Sequence, residues 1–256
     1  MLSKKDLKIL WRSKSWQFMR NCRKEPRVDG EIAELIYNHN PIYFRPGTSD
    51  CRLIYEILFY PKSEYKIPVA LDPKTIVDIG ANIGITSVSL TKQFPKAKIF
   101  AFEPIEDNFL LLKRNTQRYL NITAFQVALG SKNEERDIFF SDSQDNFGGF
   151  SLFAAGSNTA IRKRVLGKET AMFFLQLGIS KLDIIKIDTE GSEFDILTSI
   201  NPEMLKETSW IVGELHGERD FEVLNYLNPW FDICVKKSFK KRMFNFHACN
   251  RMLFQK

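Results

Sequence analysis

From residue 75 onward the chain alternates short apolar runs with stretches of helical spacing, the order that builds a parallel sheet with crossover helices. Residues 76–79 predict the first strand, and a helix over about 84–94 follows, stopped by Pro95. Residues 98–102 predict the second strand. Its helix covers about 107–120, with Phe109, Leu112 and Tyr119 on one face at spacings of three and seven. Residues 122–129 predict the third strand. A charged, glycine-containing section from Ser131 to about Gly156 then interrupts the rhythm and reads as an insertion near the site, with a short strand at 137–140. Asp183-Ile184-Ile185-Lys186-Ile187-Asp188 is the fourth strand, followed by Thr189-Glu190-Gly191 and a helix carrying Phe194, Leu197 and Ile200. The fifth covers 210–215 and runs into His216-Gly217. Residues 231–235 and 252–254 predict two late strands, the last one antiparallel.

The first 74 residues lack this alternation and read as mainly helical, with Leu7, Leu10, Trp11 and Phe18 able to share one face apart from Lys4, Lys8, Arg12 and Lys14. The expected organisation is a helical N-terminal extension over 1–74, covering the site, and an α/β domain over 75–256 with an insertion at about 131–165.

Composition adds constraints. A chain of 256 residues, 44% hydrophobic and 27% charged, can bury one sizeable core without a disulfide or a metal. Cys22, Cys51, Cys234 and Cys249 form no CxxC pair, which argues against a zinc site and for a reducing compartment. No run of 18 apolar residues occurs, and charges break up the N-terminal apolar residues, so a cytoplasmic protein is expected. Residues 1–30 carry nine Lys/Arg against three Asp/Glu and residues 235–256 seven against none, which leaves the middle acidic. Basic ends suit anionic partners, and with Trp11 and Trp16 among lysines they would permit a weak peripheral association with an anionic membrane surface.

The candidate chemistry begins at Thr75-Ile76-Val77-Asp78-Ile79-Gly80-Ala81-Asn82-Ile83-Gly84, an apolar strand that ends in a carboxylate and opens into a glycine loop. A dinucleotide site would show G-x-G-x-x-G; here the pattern is D-x-G-x-N-x-G, with only Gly80 and Gly84. Asp78 would repel a pyrophosphate but suits an ammonium group. S-adenosylmethionine carries such a group, lacks phosphate, and presents a ribose diol that Glu103, ending the second strand, could accept in bidentate fashion. Taken singly, these residues could be a cap, a turn and a surface acid. In this order on successive strands they point to that methyl donor.

VDIGANIG, FAFEPIEDNFLLLKRN, QVALG and DIIKIDTEGSEFDIL resemble the successive motifs of the FkbM-type methyltransferases, a branch of the class I S-adenosylmethionine-dependent enzymes. The resemblance covers about residues 44–254, counting Phe44-Arg45-Pro46-Gly47-Thr48-Ser49-Asp50 as the family's R-x-G-T-S-D element and Glu64-Tyr65 as its E-Y pair. It implies a Rossmann-like, seven-stranded, mostly parallel sheet in the order 3-2-1-4-5-7-6. It also implies that Asp78, Gly80, Ala81, Asn82 and Gly84 form the donor loop, that Glu103 is the ribose acid, and that Ala128 lies beside adenine. Asp50 and Tyr65 would come from the cover over the donor. The stretch VLGKETAMFFLQLGISK, between Arg164 and Leu182, departs from the family pattern, so the acceptor side is expected to differ.

Methyl transfer to a hydroxyl is an in-line displacement, helped mainly by alignment and further by a base. Asp188, Glu190 and His216 follow the fourth and fifth strands on the ligand side of an open sheet and are the candidate catalytic residues. His216 is the simplest general base. Asp188 and Glu190 could instead orient the acceptor or Lys186, and Glu190 could cap the next helix. Asp188, Glu214 and His216 are the one set that could hold a divalent ion on an acceptor diol; their spacing is not that of a tight ligand motif, and no metal is expected. His39 and His247 have structural roles by default. The resemblance suggests O-methylation of a sugar, glycan or secondary metabolite. A nucleic-acid methyltransferase is the rival that the basic ends raise, but Asp188-Thr189-Glu190-Gly191 offers no proline or aromatic to stack a base, and nucleic acid is not expected as a partner. A non-catalytic membrane-surface protein is the rival of another class.

Overall fold

The computed structural model describes residues 2–25, 30–60, 65–68, 70–140, 150–151, 161–216, 219–238 and 243–254. Glu64, Gly217, residues 239–242 of the basic tail and much of the expected insertion fall outside them.

The regular structure described in the N-terminal region is mostly helical, but it includes a β-hairpin that was not expected. Ser3 caps α1 (Lys4–Ser13) in a capping box with Asp6, Lys14 ends it in the left-handed region, and Ser15 caps α2 (Trp16–Asn21). That break separates residues 7–11 from Phe18, so the single face expected of them does not form: Phe18 is fully buried, whereas Leu7, Trp11 and Trp16 are exposed. A hairpin follows, β1 (Ala33–Tyr37) against β2 (Asn40–Phe44), turning at Asn38 and His39, both at positive φ as a two-residue hairpin turn requires. Then come α3 (Ser49–Ile54) and a π-helical turn at Tyr55–Phe59. Phe18 meets Phe44 edge-on at 5.4 Å, and burial of each ring contributes about 1.5–3 kcal/mol to holding this extension down.

The α/β part runs β3 (Thr75–Ile79), α4 (Ile85–Gln93), β4 (Lys98–Phe102), α5 (Glu106–Thr116) and β5 (Ile122–Phe125). The third predicted strand therefore stops at Phe125, and its remainder becomes β6 (Ala128–Gly130) in a second sheet. That sheet has the order β6-β9-β7-β8 and includes β7 (Glu134–Phe140), β8 (Phe150–Ser151) and β9 (Ile161–Glu169). The described part of the insertion thus forms a small sheet together with β6. The chain then forms α6 (Thr170–Gln176), β10 (Ile184–Ile187), α7 (Glu193–Ser199), α8 (Pro202–Lys206), β11 (Trp210–Leu215), α9 (Asp220–Leu227), β12 (Phe231–Ser238), β13 (Met243–Asn250) and α10 (Arg251–Phe254). The expected last strand at 252–254 is helical; the strand precedes it, and is antiparallel to β11 and β12.

The main sheet has the order β12-β13-β11-β10-β3-β4-β5, which is 3-2-1-4-5-7-6 when its seven strands are counted along the chain. Parallel strands covered on both faces read as near-continuous apolar runs, and the central β10 is buried at every position. Alternation sends Val77, Ile79, Ile185, Ile187 and Ile211 into the core shared with α6, α7, α8 and α9. Ile76, Ile184 and Val212 point the other way, into the core shared with α4 and the N-terminal extension. On that second face, the next residues at intervals of two are polar: Asp78, then Lys186 and Asp188, then Glu214 and His216. The register sets Lys186 beside Asp78.

Candidate active site

A cavity of about 880 Å³, including its open mouth, lies at the carboxyl ends of these strands. It is lined by Gly80, Ala81 and Asn82 after β3, Glu103 after β4, Ala128 in β6, Asp188 and Glu190 after β10, and Tyr65 from the N-terminal extension. The crevice beyond the strand ends is where an open parallel sheet binds its ligand.

Backbone demands explain the loop. Gly80 sits at φ +75°, and a Cβ there would come within 1.8 Å of the Asp188 carbonyl oxygen, so the loops after β3 and β10 can touch only through glycine. Gly84, at φ +87°, starts α4 against Leu112 and is not on the cavity wall. Asn82 tolerates a positive φ and donates its backbone N–H to Glu103 Oε2 at 2.9 Å, while Ile105 donates to Glu103 Oε1 at 3.0 Å. Glu103 is thereby fixed in orientation. Burial is the dominant influence on it and pushes its carboxyl up to about 7, against the pull of those N–H donors.

Asp78 is not the exposed acid that an ammonium group would meet. It is fully buried, accepts from Ser87 Oγ at 2.6 Å, and has Lys186 Nζ 3.0 Å from its other oxygen. Lys186 also donates to the Gly80 carbonyl at 2.7 Å. Burial disfavours its charge, but the neighbouring Asp78 and Asp188 hold its pKa above the usual lysine value. Asp50 is likewise off the cavity wall: Arg45 grips it with Nε at 2.7 Å and Nη2 at 2.8 Å, and Nη2 reaches Asn108 of α5, so this pair clamps the extension to the domain.

On the other strand ends the acids crowd together. Tyr65 donates to Asp188 Oδ2 at 2.6 Å, with Glu214 Oε1 3.2 Å away. His216 Nδ1 lies 3.2 Å from Glu193 Oε1, and its Nε2 faces Glu214 at 3.4 Å, Asp188 at 3.5 Å and Glu190 at 3.8 Å. Burial works against a charged imidazole, but the hydrogen bond to Glu193 and the nearby carboxylates of Glu214, Asp188 and Glu190 push its pKa up to about 11. The general-base role expected of His216 is therefore revised: at neutral pH it is a cation fenced by carboxylates, and it stands behind the cavity wall. Asp188 and Glu190 do reach the wall. Burial raises both, Glu190 to about 8, and Glu190 is held at φ +55°, a conformation uncommon for a non-glycine residue. His247 accepts from Trp210 Nε1 at 3.3 Å, and His39 shapes the hairpin turn, both structural positions.

Three further residues contribute, of which the sequence points to Lys186 only as a group that Asp188 and Glu190 could orient. Glu193 anchors His216 and accepts from the Thr189 and Gly191 backbone N–H groups; its place in the first turn of α7 is the only signal for it. Lys186, in mid-strand among isoleucines, is a buried charge that needs an acid, and Asp78 supplies it. Arg136 of β7 lines the cavity opposite Gly130, where an added Cβ would meet its guanidinium at 2.7 Å. No local pattern marked it.

The strand order and the cavity at the strand ends define the class: a Rossmann-like methyltransferase fold. The model of the methyltransferase FkbM domain matches residues 78–243, well over half of the chain, and the chain belongs to that family. The solved structure of methyltransferase FkbM from Methylobacillus flagellatus KT shares the fold at a TM-score of 0.51 and 18% identity, over 76% of this chain and 47% of that one. The 31-O-demethyl-FK506 methyltransferase FkbM of Streptomyces tacrolimicus is 24% identical over 198 residues, covering 66% of this chain and 76% of its own. Hexuronic acid methyltransferase AglP of Haloferax volcanii is 28% identical over 144 residues, 56% of each chain. AMB antimetabolite synthetase AmbE of Pseudomonas aeruginosa is 24% identical over 227 residues, 75% of this chain but only 11% of that protein. Among the described residues no helix is long and apolar enough to cross a membrane.

Proposed function

We propose that this chain transfers the methyl group of S-adenosylmethionine to a hydroxyl on a sugar, glycan or secondary metabolite. The observation that carries the reading is one cavity lined both by a ribose-type acid with its glycine loop, Glu103 and Gly80 to Asn82, and by the acids Asp188 and Glu190. Glu103 accepts the ribose diol, Ala128 and Arg136 flank the base, and the loop after β3 takes the methionine end. The names of the AglP and FkbM relatives, a hexuronic acid methyltransferase and a 31-O-demethyl-FK506 methyltransferase, favour an oxygen acceptor.

In the reaction the acceptor oxygen attacks the methyl carbon in line with the C–S bond, whose electron pair stays on sulfur as the sulfonium becomes a thioether. Most of the acceleration comes from alignment in the cavity. The hydroxyl proton goes to Glu190, the acid on the wall that makes the fewest commitments elsewhere, while Asp188, held by Tyr65, orients the acceptor. Proton transfer of this kind contributes typically 10²–10⁴-fold.

Calorimetric titration with S-adenosylmethionine tests the donor half. Glu103→Ala should weaken binding by about 100-fold, since hydrogen bonds to a buried carboxylate are worth about 1.5–3 kcal/mol each. Wild-type affinity in that variant would overturn the assignment. Methyl transfer to glycan, lipid-linked sugar and RNA pools, read by product mass, tests the acceptor half. Glu190→Gln should lose turnover by 10²-fold or more while binding the donor normally.

A further inference from the structure

We propose that Asp188, Glu214 and His216 form a binding site for a divalent cation of the first transition row, of which Mn²⁺ is the probe. The three residues bring one ligand atom each to within 4.8 Å of one another. Acid clusters alone do not make a metal site, and the argument rests on His216. Glu193 Oε1 accepts from the Thr189 N–H at 2.9 Å and the Thr189 hydroxyl at 3.1 Å, which marks it as a committed acceptor. The nearby Nδ1 of His216, 3.2 Å away, therefore carries a hydrogen and donates it. That fixes Nε2 as the atom aimed into the cluster. The side chain is 95% buried, with 5% exposed, and Nε2 makes no hydrogen bond although three carboxylates surround it. In the neutral tautomer its lone pair faces their lone pairs, so this position calls for a positive charge, either a proton on Nε2 or a bound cation.

A carboxylate fixing one imidazole nitrogen so that the other can bind a cation is the usual outer support of a metal-ligating histidine. Two of the three ligand spacings also fit, and the third, Asp188 to Glu214, is within 4.8 Å. With ligand bonds of about 2.1 Å, neighbouring ligands on a tetrahedral ion stand about 3.4 Å apart, and Nε2 is 3.4 Å from Glu214 Oε2 and 3.5 Å from Asp188 Oδ1. One imidazole with two carboxylates suits a first-row dication better than an all-oxygen site would. Charge points the same way: Asp78, Asp188, Glu190, Glu193 and Glu214 gather around Lys186 and His216, and Lys186 is already spent on Asp78. Glu214 and His216 are buried, whereas Asp188 and Glu190 are 25% and 29% exposed and line the cavity, so the remaining coordination positions face the acceptor. An ion there would orient and polarise an acceptor hydroxyl. That chemistry rests on the hydroxyl-methylation reading; the binding of the ion does not.

The test is Mn²⁺ titration of the full chain after chelator dialysis, read by calorimetry and by the loss of the free-ion electron paramagnetic resonance signal. One site per chain is expected, weakened at least tenfold in His216→Ala and in Glu214→Gln, weakened 10–100-fold in Glu193→Gln, and unchanged in His247→Ala. The two ligand variants are independent, so misfolding of one, checked by circular dichroism, leaves the other decisive. No binding of Mn²⁺ by the wild type at millimolar concentration, or equal binding by the ligand variants, would overturn the site and leave a proton as the only charge on Nε2. S-adenosylmethionine binding, measured on the same samples, separates the two readings: donor binding without Mn²⁺ binding sinks only the metal site, and the reverse sinks only the methyltransferase reading.

Discussion

The two halves of the cavity are built on opposite electrostatic terms. On the half proposed to hold the donor, the loop after β3 and the end of β4 are tied together: Glu103 takes the backbone N–H groups of Asn82 and Ile105, and Asp78 takes the Ser87 hydroxyl and the Lys186 ammonium. On the other half, after β10 and β11, carboxylates outnumber the cations that face them, and His216 Nε2 has charge around it but no hydrogen bond. A half whose acids are already paired, with Asn82 Oδ1 the buried acceptor left over, can receive a ligand whose polar groups match its own. A site with surplus charge is held for something that brings the missing charge or consumes it. The donor half therefore reads as a pre-formed pocket and the acceptor half as the reactive one, with Lys186 joining them.

That join supplies the largest expected effect. Lys186 is buried, and its removal leaves Asp78 without its cation and Asp188 and Glu214 with less compensation. Breaking a buried pair from one side costs about 3–5 kcal/mol. Lys186→Met should lower the stability by about that amount in denaturant unfolding, and a change below about 1 kcal/mol would show that the halves are electrostatically independent. Removing Asp78 as well, in an Asp78→Asn and Lys186→Met double variant, should recover part of the loss, because no orphaned charge then remains at that position.

The next effect belongs to the donor half and carries a definite sign. Burial raises Glu103 from 4.5 to about 7, so between those values the folded chain holds a proton that the unfolded chain has released. Its stabilising contribution is complete below about pH 4.5 and is lost as pH rises through about 7. The amount is about 3 kcal/mol at 1.36 kcal/mol per unit. Wild type and Glu103→Gln, unfolded at a series of pH values from 4.5 to 8, should differ in slope, with the wild type losing ground as pH rises; parallel curves would remove the buried-acid account of this residue.

The same division governs what could be read before the fold was known. The donor half is local: a strand, a glycine loop and an acid after the next strand lie within residues 75–103, so spacing alone places Gly80 and Glu103. Parity along the strands already groups Asp78, Lys186, Asp188, Glu214 and His216 on one face, but their inter-strand register, such as Lys186 beside Asp78, is a tertiary fact. For that reason Asp78 was expected to meet an ammonium ligand and meets a lysine of the chain instead. The hairpin of β1 and β2 escaped because its turn uses Asn38-His39 where the usual signal is Asn-Gly. Arg136 reaches the cavity from the inserted sheet, whose pairing of β7 with β9 spans a long stretch of sequence.

Tyr65 tests the boundary between the halves with the smallest expected effect. The resemblance to the family assigns it to the donor cover, yet its hydroxyl donates to Asp188, with Glu214 beside it, and its ring lies 5.4 Å from Lys186 Nζ. Tyr65→Phe keeps the ring and the cation contact and removes only the hydrogen bond, at a cost of about 1.5 kcal/mol for a bond to a charged acceptor. If Tyr65 serves the acceptor half, the variant should bind S-adenosylmethionine as the wild type does and show a raised KM for the acceptor or a lowered kcat, because Asp188 loses the bond that sets its orientation. A tenfold loss of donor affinity at unchanged kcat would return Tyr65 to the donor cover. It would also mean that the N-terminal extension closes over the cofactor, leaving Asp188 to be oriented by Lys186 and His216 alone.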